Sequence, residues 1–504
     1  MRQLLVTLLV CLTSFSGYTN NINVSNVNLS NQNTADKTTT VSFNISWDNS
    51  WRLSVGQQNW DAAWVFVKYQ PSGSQQWYHA KLKTTGHTAP TGSKVDTPAD
   101  GAGAFIYRSA AGSGTFSLAD VGLKWDYAAN GLTDGALVTV KVFAVEMVYV
   151  PQGAFFAGDF GTSNGAFKKG SASNDTRPWD ITSEGAISVT TAASNSYYYT
   201  QGTSSSTASM WGLGTGSSFT IPAAFPKGFS AFYSMKYEVS EGQWVDFFNT
   251  LTTPQKNTLD ITATGTTNKA SDGVVNRNTI SWTGGDATTQ APNRACSFLS
   301  WIDAAAYADW AGLRPMTELE YEKAARGNMG AIGGEYAWGN GDYILPVTAV
   351  ANDGTAEEAS NTLNANANYG NGGVLGPVRV GMFATATSNR QQAGASYWGI
   401  MDLSGNLWER VVSVGYAAAH PFAGTHGDGE LSGDGYANNA DWPGATGATN
   451  EVKGAAGAGF RGGSWSSTAA ATDLRVSDRR WATYNYATRG NDHGFRAVRT
   501  APGL

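Results

Sequence analysis

Short runs of alternating apolar and polar residues dominate the first 145 positions. In residues 40–47 every second side chain is apolar, which is the spacing of a strand with one buried face. The same habit recurs in residues 63–69, 77–82, 104–107 and 136–143. Because polar turn residues separate these runs, the pattern predicts an antiparallel β-sandwich over residues 20–145.

Aromatic residues are frequent in the same region and include Trp60, Trp64, Trp77 and Tyr78. Their rings would either fill the core of the predicted sandwich or form an exposed platform on which a sugar stacks. The core is the favoured interpretation, because large aromatic side chains on alternating strands supply much of the buried area between two sheets.

Farther along the chain, apolar residues take up helical spacing behind defined start signals. Three helices are predicted to begin at residues with capping-box spacing, namely Ser240, Ser300 and Thr317. The second helix should stop at Gly312 and the third by Gly327, since glycine favours helix termination.

The second domain is predicted to cover residues 146–504. It begins with an apolar run directly after the last strand of the first domain, so we expect the two domains to pack closely. A stretch rich in Ser, Thr, Gly and Asn at about residues 159–228 is predicted to be an insertion. Because regular elements are few and the chain contains 60 Gly, this domain is expected to be an α+β unit rich in irregular loops.

Composition narrows the class of partner. Charged residues form 14% of the 504 residues, the formal net charge is -6, and no basic block alternates with aromatic residues. Nucleic acid is therefore not an expected partner.

The first residues resemble an export signal. Residues 1–17 combine a basic start, an apolar run and small residues, which predicts a signal peptide and a secreted or cell-surface protein. No later apolar run approaches ~20 residues, so no transmembrane segment is predicted in the mature chain. Cleavage would remove Cys11 and leave Cys296 as the sole thiol, which excludes an internal disulfide. An alternative makes Cys11 the acylated residue of a lipoprotein, although no small residue precedes it directly.

Seven motifs follow one another in the predicted second domain. The longest covers residues 300–327, and the others are residues 147–155, 236–240, 336–340, 399–409, 460–465 and 494–496. In this order they resemble the formylglycine-generating enzyme (sulfatase-modifying factor) family. The resemblance implies a C-type-lectin-related fold and does not extend to residues 20–145.

Members of that family oxidise a substrate cysteine, within a Cys-x-Pro-x-Arg motif, to formylglycine by means of two copper-binding cysteines. Where the resemblance places these cysteines, this chain has Ser467 and Thr472, and Ser464 alone keeps the local pattern. A hydroxyl neither binds Cu(I) as a thiolate does nor exchanges with a substrate thiol. Copper is therefore not expected, and no catalytic residue is assigned.

The resemblance also implies a calcium ion at the Gly-Asn-x-Trp-Glu turn, held by backbone carbonyls and the Glu carboxylate. The matching residues are Ser404, Gly405, Asn406, Leu407 and Glu409. The alternative is a turn that Asn and Glu stabilise without a metal. A second, looser match lies near Asn366 and Asn368.

Histidines offer little further support for a metal. None of the five forms a helical pair with a nearby carboxylate, unlike the iron ligands of the related sulfoxide synthases. A Gly-rich loop brings together His420, His426, Asp428 and Glu430, which could hold a metal. Solvated loop residues are the favoured interpretation.

Framework residues alternate with Ser, Thr, Ala, Asp, Tyr, Asn and His in residues 464–493. This resembles the variable segment of diversity-generating-retroelement target proteins, several of which use the same fold. Rigid aromatic side chains among adaptable polar ones suit a binding surface. The predicted ligand-binding residues are Ser466, Ser467, Thr468, Thr472, Asp473, Trp481, Thr483, Tyr484, Tyr486, Asn491, Asp492 and His493.

The sequence thus predicts a non-catalytic secreted or surface protein that presents a C-terminal binding face to an unknown protein or carbohydrate ligand. Two alternatives remain open. One is a formylglycine-generating or other oxidative metalloenzyme that acts on exported proteins, and the other is a structural component of the cell envelope.

Overall fold

A computed structural model describes residues 22–170, 175–193, 195–203, 212–265, 268–370, 372–468 and 470–503. The predicted signal peptide, residues 1–17, lies outside these ranges. Within them, no helix combines the length and the hydropathy that a membrane span requires.

Long strands occupy the first part of the chain. They are β1 (Asn23–Asn33), β2 (Thr38–Arg52), β3 (Asp61–Pro71), β4 (Tyr78–His79), β5 (Ser93–Asp96), β6 (Ala104–Arg108), β7 (Gly112–Asp126) and β8 (Val138–Val150). One sheet has the order β1-β2-β7, and a second contains β5-β6-β3-β8 with β4 beside β3. Every second residue of β2 from Val41 to Trp47 is buried, which confirms the predicted alternation, and these side chains pack on β3.

Strand β3 is buried on both faces. Val65 packs toward the first sheet, whereas Trp64 packs in a second core shared with the helices. Trp60 also lies in this second core, while Trp77 and Tyr78 are half-buried. These four aromatic residues therefore form no common platform, because the rings of Trp60 and Trp64 fill the space between sheet and helices.

The remaining strands are short. They are β9 (Phe155–Ala157), β10 (Lys168–Lys169), β11 (Trp179–Ile181), β12 (Ile187–Val189), β13 (Tyr197–Tyr198), β14 (Phe219–Ile221), β15 (Phe232–Met235), β16 (Arg314–Pro315), β17 (Val350–Ala351), β18 (Ala359–Ser360), β19 (Trp408–Val412), β20 (Ala445–Thr446), β21 (Glu451–Val452), β22 (Ala458–Arg461), β23 (His493–Gly494) and β24 (Ala497–Thr500). Irregular chain connects most of them, as expected for this Gly-rich part.

The helices are α1 (Glu241–Phe248), α2 (Thr253–Leu259), α3 (Trp301–Trp310) and α4 (Glu318–Arg326). The predicted starts at Ser240, Ser300 and Thr317 are confirmed, because each is an N-cap that completes a capping box. Gly327 ends α4 with a φ of 78°, a conformation that glycine adopts readily. Helix α2 was not predicted, since its sequence is short and mostly polar.

Strand β8 joins the two predicted domains. It pairs with β3 from Val138 to Val148, and its last four residues pair with β15. Strands β24 and β16 extend the same sheet beyond β15. The predicted boundary between residues 145 and 146 therefore falls inside one strand of a sheet that both parts of the chain share.

The insertion predicted at about residues 159–228 lies against the C-terminal segment. Strands β10, β13, β12 and β14 form a small sheet in it. The buried guanidinium of Arg479 donates to the carbonyls of Gly165 (2.8 Å) and Thr200 (2.9 Å) and stacks on Phe167 and Tyr199. The insertion thus supports one side of the C-terminal segment.

Candidate functional site

Ser467 and Thr472, at the positions where the resemblance expects cysteines, belong to a closed polar turn. The Ser467 hydroxyl accepts a hydrogen bond from the Ser464 amide (3.1 Å), and Thr472 begins a 3-10 helix over Thr472–Leu474. Arg480 donates to the Thr472 hydroxyl (3.5 Å) and pairs with the carboxylate of Asp473 (2.6 Å). These hydroxyls therefore stabilise the turn.

Three aromatic residues, Trp481, Tyr484 and Tyr486, form a contiguous surface that we call the aromatic face. Trp481 meets Tyr484 edge-on with ring centroids 4.8 Å apart, and Tyr484 stacks on Tyr486 at 5.2 Å and 13°. Tyr486 is 43% exposed, so one face of its ring is free for a ligand. Stacked rings lose little conformational entropy on binding.

A buried arginine supports the aromatic face from behind. Arg410 lies over the ring of Phe460 at 4.1 Å and donates to the carbonyls of Tyr486 (2.7 Å) and Thr488 (3.1 Å). These bonds fix the backbone that carries Tyr486. The predictions made from sequence missed Arg410, although it directly follows Glu409 of the Gly-Asn-x-Trp-Glu motif.

Asp492 and His493 lie beside the face and engage the Gly-Gly-Ser turn. The Asp492 carboxylate accepts hydrogen bonds from Ser464 (3.1 Å) and Ser466 (2.5 Å). Burial, together with the charge of Arg410, lowers the pKa of His493 to about 4, so its ring is neutral at physiological pH. The order Ser–Asp–His differs from that of a nucleophile–base pair, in which the His contacts the hydroxyl.

The structure divides the predicted ligand-binding residues into two groups. The exposed or half-exposed ones are Ser466, Thr468, Thr472, Trp481, Tyr484, Tyr486, Asn491, Asp492 and His493. The buried ones, which cannot meet a ligand directly, are Ser467, Asp473 and Thr483. Ser467 and Asp473 hold the turn together, and Thr483 packs against Gly212 and Gly415. Composition alone does not separate outward-facing polar side chains from those that close a turn.

The residues matched to a calcium turn surround Glu409, which lies on β19 and is fully buried. Its Oε1 accepts a hydrogen bond from Nε of Arg496 (2.7 Å) and lies 2.6 Å from Nη2 of the same guanidinium, whereas Oε2 has no hydrogen-bond partner in the described chain. Burial raises the pKa of Glu409, and also of nearby Glu238 and Asp402. Three neighbouring buried carboxyl groups and the one unpartnered oxygen fit a cation.

Two observations limit that site. In the part of the chain that the structure covers, no three Asp, Glu, His or Cys side chains converge as metal ligands. One of the two carboxylate oxygens of Glu409 is also committed to Arg496. A calcium ion here would therefore depend on backbone carbonyls of Ser404, Gly405 and Leu407 together with Oε2 of Glu409.

The looser metal candidates are engaged elsewhere. Asn366 bonds the Leu345 amide through its oxygen, and Asn368 donates to Gly376 (3.0 Å). His420 bonds the Val414 carbonyl, and His426 accepts from the Thr500 amide. Among the described residues, His420 and His426 belong to no group of three side chains that could hold a metal. Glu430 is half-buried and accepts a hydrogen bond from the His79 amide.

Asp478 is a buried residue of the C-terminal segment and gives a testable pH dependence. Its Oδ1 accepts from the Arg480 amide (3.0 Å), and Oδ2 is buried without a partner among the described residues. Burial raises the pKa of Asp478 from 3.8 to about 7. Between those pH values the carboxyl group is protonated only in the folded state, so stability falls as the pH rises through this window.

Asp478→Asn is therefore expected to flatten this decline and to raise the free energy of unfolding near pH 8 by about 1–3 kcal/mol. Urea denaturation of both proteins at several pH values between about 4 and 8 measures the effect. An equal slope in the two proteins would show that Asp478 titrates normally.

Comparison with known proteins places these features in a family. Residues 200–501 match the sulfatase-modifying factor enzyme 1-like domain. Proteins named formylglycine-generating enzyme are 48% identical over 56 residues in Thermomonospora curvata and 52% identical over 58 residues in Streptomyces coelicolor, covering 11% and 12% of this chain. The Mycobacterium tuberculosis protein of the same name is 37% identical over 111 residues, or 22% of this chain.

These alignments span 18%, 17% and 30% of the respective relatives, so less than a third of each curated protein is matched. The domain match is broader and covers more than half of this chain. It includes α1, α3, α4, the turn at Glu409 and the whole C-terminal segment. The protein therefore belongs to the family of sulfatase-modifying factor enzyme 1-like domains.

Proposed function

We propose that this protein is a non-catalytic, exported member of its family that binds a ligand through the aromatic face and the neighbouring residues 491–493. The observation that carries the proposal is the replacement of both expected cysteines by Ser467 and Thr472. Their hydroxyls are engaged in a structural turn, and Asp492, beside the aromatic face, bonds Ser464 and Ser466 of the same turn.

Thiol chemistry has no second source near this turn. Cys296 is the free cysteine of the described chain, and it is fully buried. Burial raises the pKa of its thiol well above the ordinary value, which suppresses the reactive thiolate. One buried thiol can neither bind copper as a pair nor exchange with a substrate cysteine.

The build of the C-terminal segment supports a binding surface. Its anchors are buried framework residues such as Leu474, Val476 and Phe495. Exchange of the exposed residues between these anchors would leave the core unchanged. We therefore include diversification of this segment, and display outside the cell, in the proposal.

Deep sequencing of the codons for residues 464–496 across a population of the source organism tests diversification. Nucleotide substitutions should concentrate at adenines in the codons of exposed residues, whereas the codons for Leu474 to Val476 and Gly494 to Arg496 should stay constant. A uniform sequence would remove diversification from the proposal and leave a fixed binder.

Binding itself is tested on arrays of glycans and extracellular proteins. Tyr484→Ala with Tyr486→Ala is expected to weaken any bound ligand at least ~10-fold, since aromatic anchors dominate binding energy. Leu137→Ala, an exposed apolar change on the N-terminal sheets, should have no effect. Equal binding by all three proteins would place the ligand elsewhere.

Calcium at Glu409 is part of the proposal as a stabilising ion. Chelation with EDTA is expected to lower the melting temperature by on the order of 5 °C, because an ion bound only by the folded state stabilises it. Glu409→Gln should abolish the difference between chelated and calcium-saturated protein. A melting temperature that changes with neither calcium nor EDTA would contradict a bound ion.

The names of the curated relatives favour a second candidate, formylglycine generation on exported proteins. The missing cysteine pair opposes it. A structural role in the cell envelope remains the third candidate and would lead to tight co-purification with envelope proteins.

A further inference from the structure

A cavity of about 370 Å³ opens beside the aromatic face, between residues 268–276 and 486–493. Its walls include Asn268, Lys269, Asn276, Tyr486, Asn491 and His493. Small-molecule sites have volumes of about 300–1,000 Å³, so one small ligand group fits here. The loop of residues 268–276 carries none of the sequence motifs, and only the structure brings it to the C-terminal segment.

Two buried cations flank this cavity without a directly paired carboxylate, because Glu241 and Asp272 act on Lys269, and Asp303 and Asp492 on Arg410, only from beyond 4.0 Å. Lys269 is 3% exposed and donates to the Ile280 carbonyl (2.5 Å), and Arg410 is wholly buried behind Tyr486 and His493. Among the described residues, neither has a carboxylate within 4.0 Å, and Nε of Arg410 has no hydrogen-bond partner. Buried charges are costly unless they are paired, so the cavity wall favours an anion.

The other wall residues offer neutral recognition groups. The Asn491 amide donates to Oδ1 of Asn276 (3.1 Å), which leaves a donor on Asn276 and an acceptor on Asn491, neither engaged elsewhere in the described chain. The neutral ring of His493 lies next to them. The outer face of Tyr486 can stack against the C–H face of a ring, because Tyr484 covers only its inner face.

We infer that this cavity binds the acidic sugar unit of a glycan, a ring that carries a carboxylate together with hydroxyl groups. The carboxylate lies in the positive field of Lys269 and Arg410, the ring stacks on Tyr486, and the hydroxyls bond Asn276 and Asn491. This inference rests on the proposed function and names its ligand class. An extended acidic peptide fits less well, because β23, the edge strand in the cavity wall, has no free pairing position at His493: its amide donates to the Gly490 carbonyl and its carbonyl accepts from the Leu299 amide.

An array of glycans with uronic-acid or sialic-acid ends, each beside its carboxyl-reduced counterpart and beside acidic peptides, tests the inference with the full chain. The wild type is expected to bind at least one acidic glycan ~10-fold or more tighter than its reduced form, and more weakly as salt rises. Asn276→Asp keeps the shape of the side chain, the left-handed backbone (φ 44°) and the bond to Asn491 but adds a like charge. This variant should lose most of the preference for the acidic form. Asn450→Asp, at an exposed position with a φ of 55°, is the matched control and should bind like the wild type.

Equal binding of acidic and reduced glycans, binding of acidic peptides alone, or an unaffected Asn276→Asp variant would each overturn the inference. The same experiment separates it from the proposed function. If Tyr484→Ala with Tyr486→Ala abolishes binding of a ligand of any class, but Asn276→Asp binds it normally, the acidic-sugar site is wrong. The proposed binding function would still hold in that case. Absence of binding to every array member would overturn the inference as well, whereas formylglycine production would overturn the proposed function.

Discussion

Arg461→Ala is expected to lower the free energy of unfolding by roughly 3–5 kcal/mol, the cost of breaking a buried ion pair from one side. The guanidinium of Arg461 is fully buried and donates to Glu318 (3.0 Å) and Glu322 (2.8 Å). Arg479 also pairs with Glu318, and Arg326 with Glu322. Removal of Arg461 leaves both buried carboxylates with one partner fewer.

The loss should depend on pH with a defined sign. Burial alone would raise the pKa of Glu322, but Arg461 and Arg326 hold this pKa below its ordinary value. The stabilisation is therefore present above the unfolded pKa and is lost as the pH falls through the folded pKa. The deficit of the variant should accordingly shrink in acid.

Urea denaturation at neutral and acidic pH measures both effects. Lys37→Ala is the matched control, because it breaks an ion pair with Asp134 in which both side chains are over 40% exposed. Exposed pairs contribute little, so this control should unfold like the wild type. A small, pH-independent loss for Arg461→Ala would contradict the role assigned to the buried network.

Trp64→Ala is expected to lower the free energy of unfolding by roughly 3–5 kcal/mol, because it leaves a cavity between the sheet and the helices. Trp64 is fully buried on β3, and its indole donates to the carbonyl of Ala311 (2.7 Å) just beyond α3. The guanidinium of Arg499 lies 4.5 Å from its ring. This one side chain therefore connects the N-terminal strands to the family domain.

Denaturation followed by tryptophan fluorescence and by far-UV circular dichroism tests the shared sheet as well. Both signals should change in a single transition, at a lower midpoint in the variant. The half-buried Trp77, which lies under Lys141, supplies the control variant Trp77→Ala with a much smaller loss. Two separate transitions in the wild type would mean that the N-terminal strands fold independently.

Much of the local structure could be predicted from the sequence, because its signals are local. The capping boxes at Ser240, Ser300 and Thr317 fix where α1, α3 and α4 begin, and the alternation in β2 fixes which of its faces is buried. The continuity of β8 could not be predicted, since a strand that changes partners has the same period throughout. The burial of both faces of β3 could not be predicted either, because the sequence does not indicate which element covers the second face.

The candidate site was predictable only in part. Trp481, Tyr484 and Tyr486 are close in sequence, so their clustering follows from a compact segment. Asn276 and Lys269 lie about two hundred residues away and reach the site through tertiary packing alone. Whether Ser467 and Thr483 are buried or exposed depends on the direction of each side chain in an irregular loop. No periodic pattern in the sequence predicts that direction.

The most direct test of the central claim, that this family member binds without catalysing oxidation, is an oxidation assay. The purified protein is incubated with copper, oxygen and a peptide that carries a Cys-x-Pro-x-Arg motif, and the peptide is analysed by mass spectrometry. The formylglycine-generating enzyme of Streptomyces coelicolor serves as the positive control. We predict that the peptide cysteine stays unchanged with this protein, because Ser467 and Thr472 supply no thiolate. Formation of the aldehyde would contradict the claim and make the protein an enzyme.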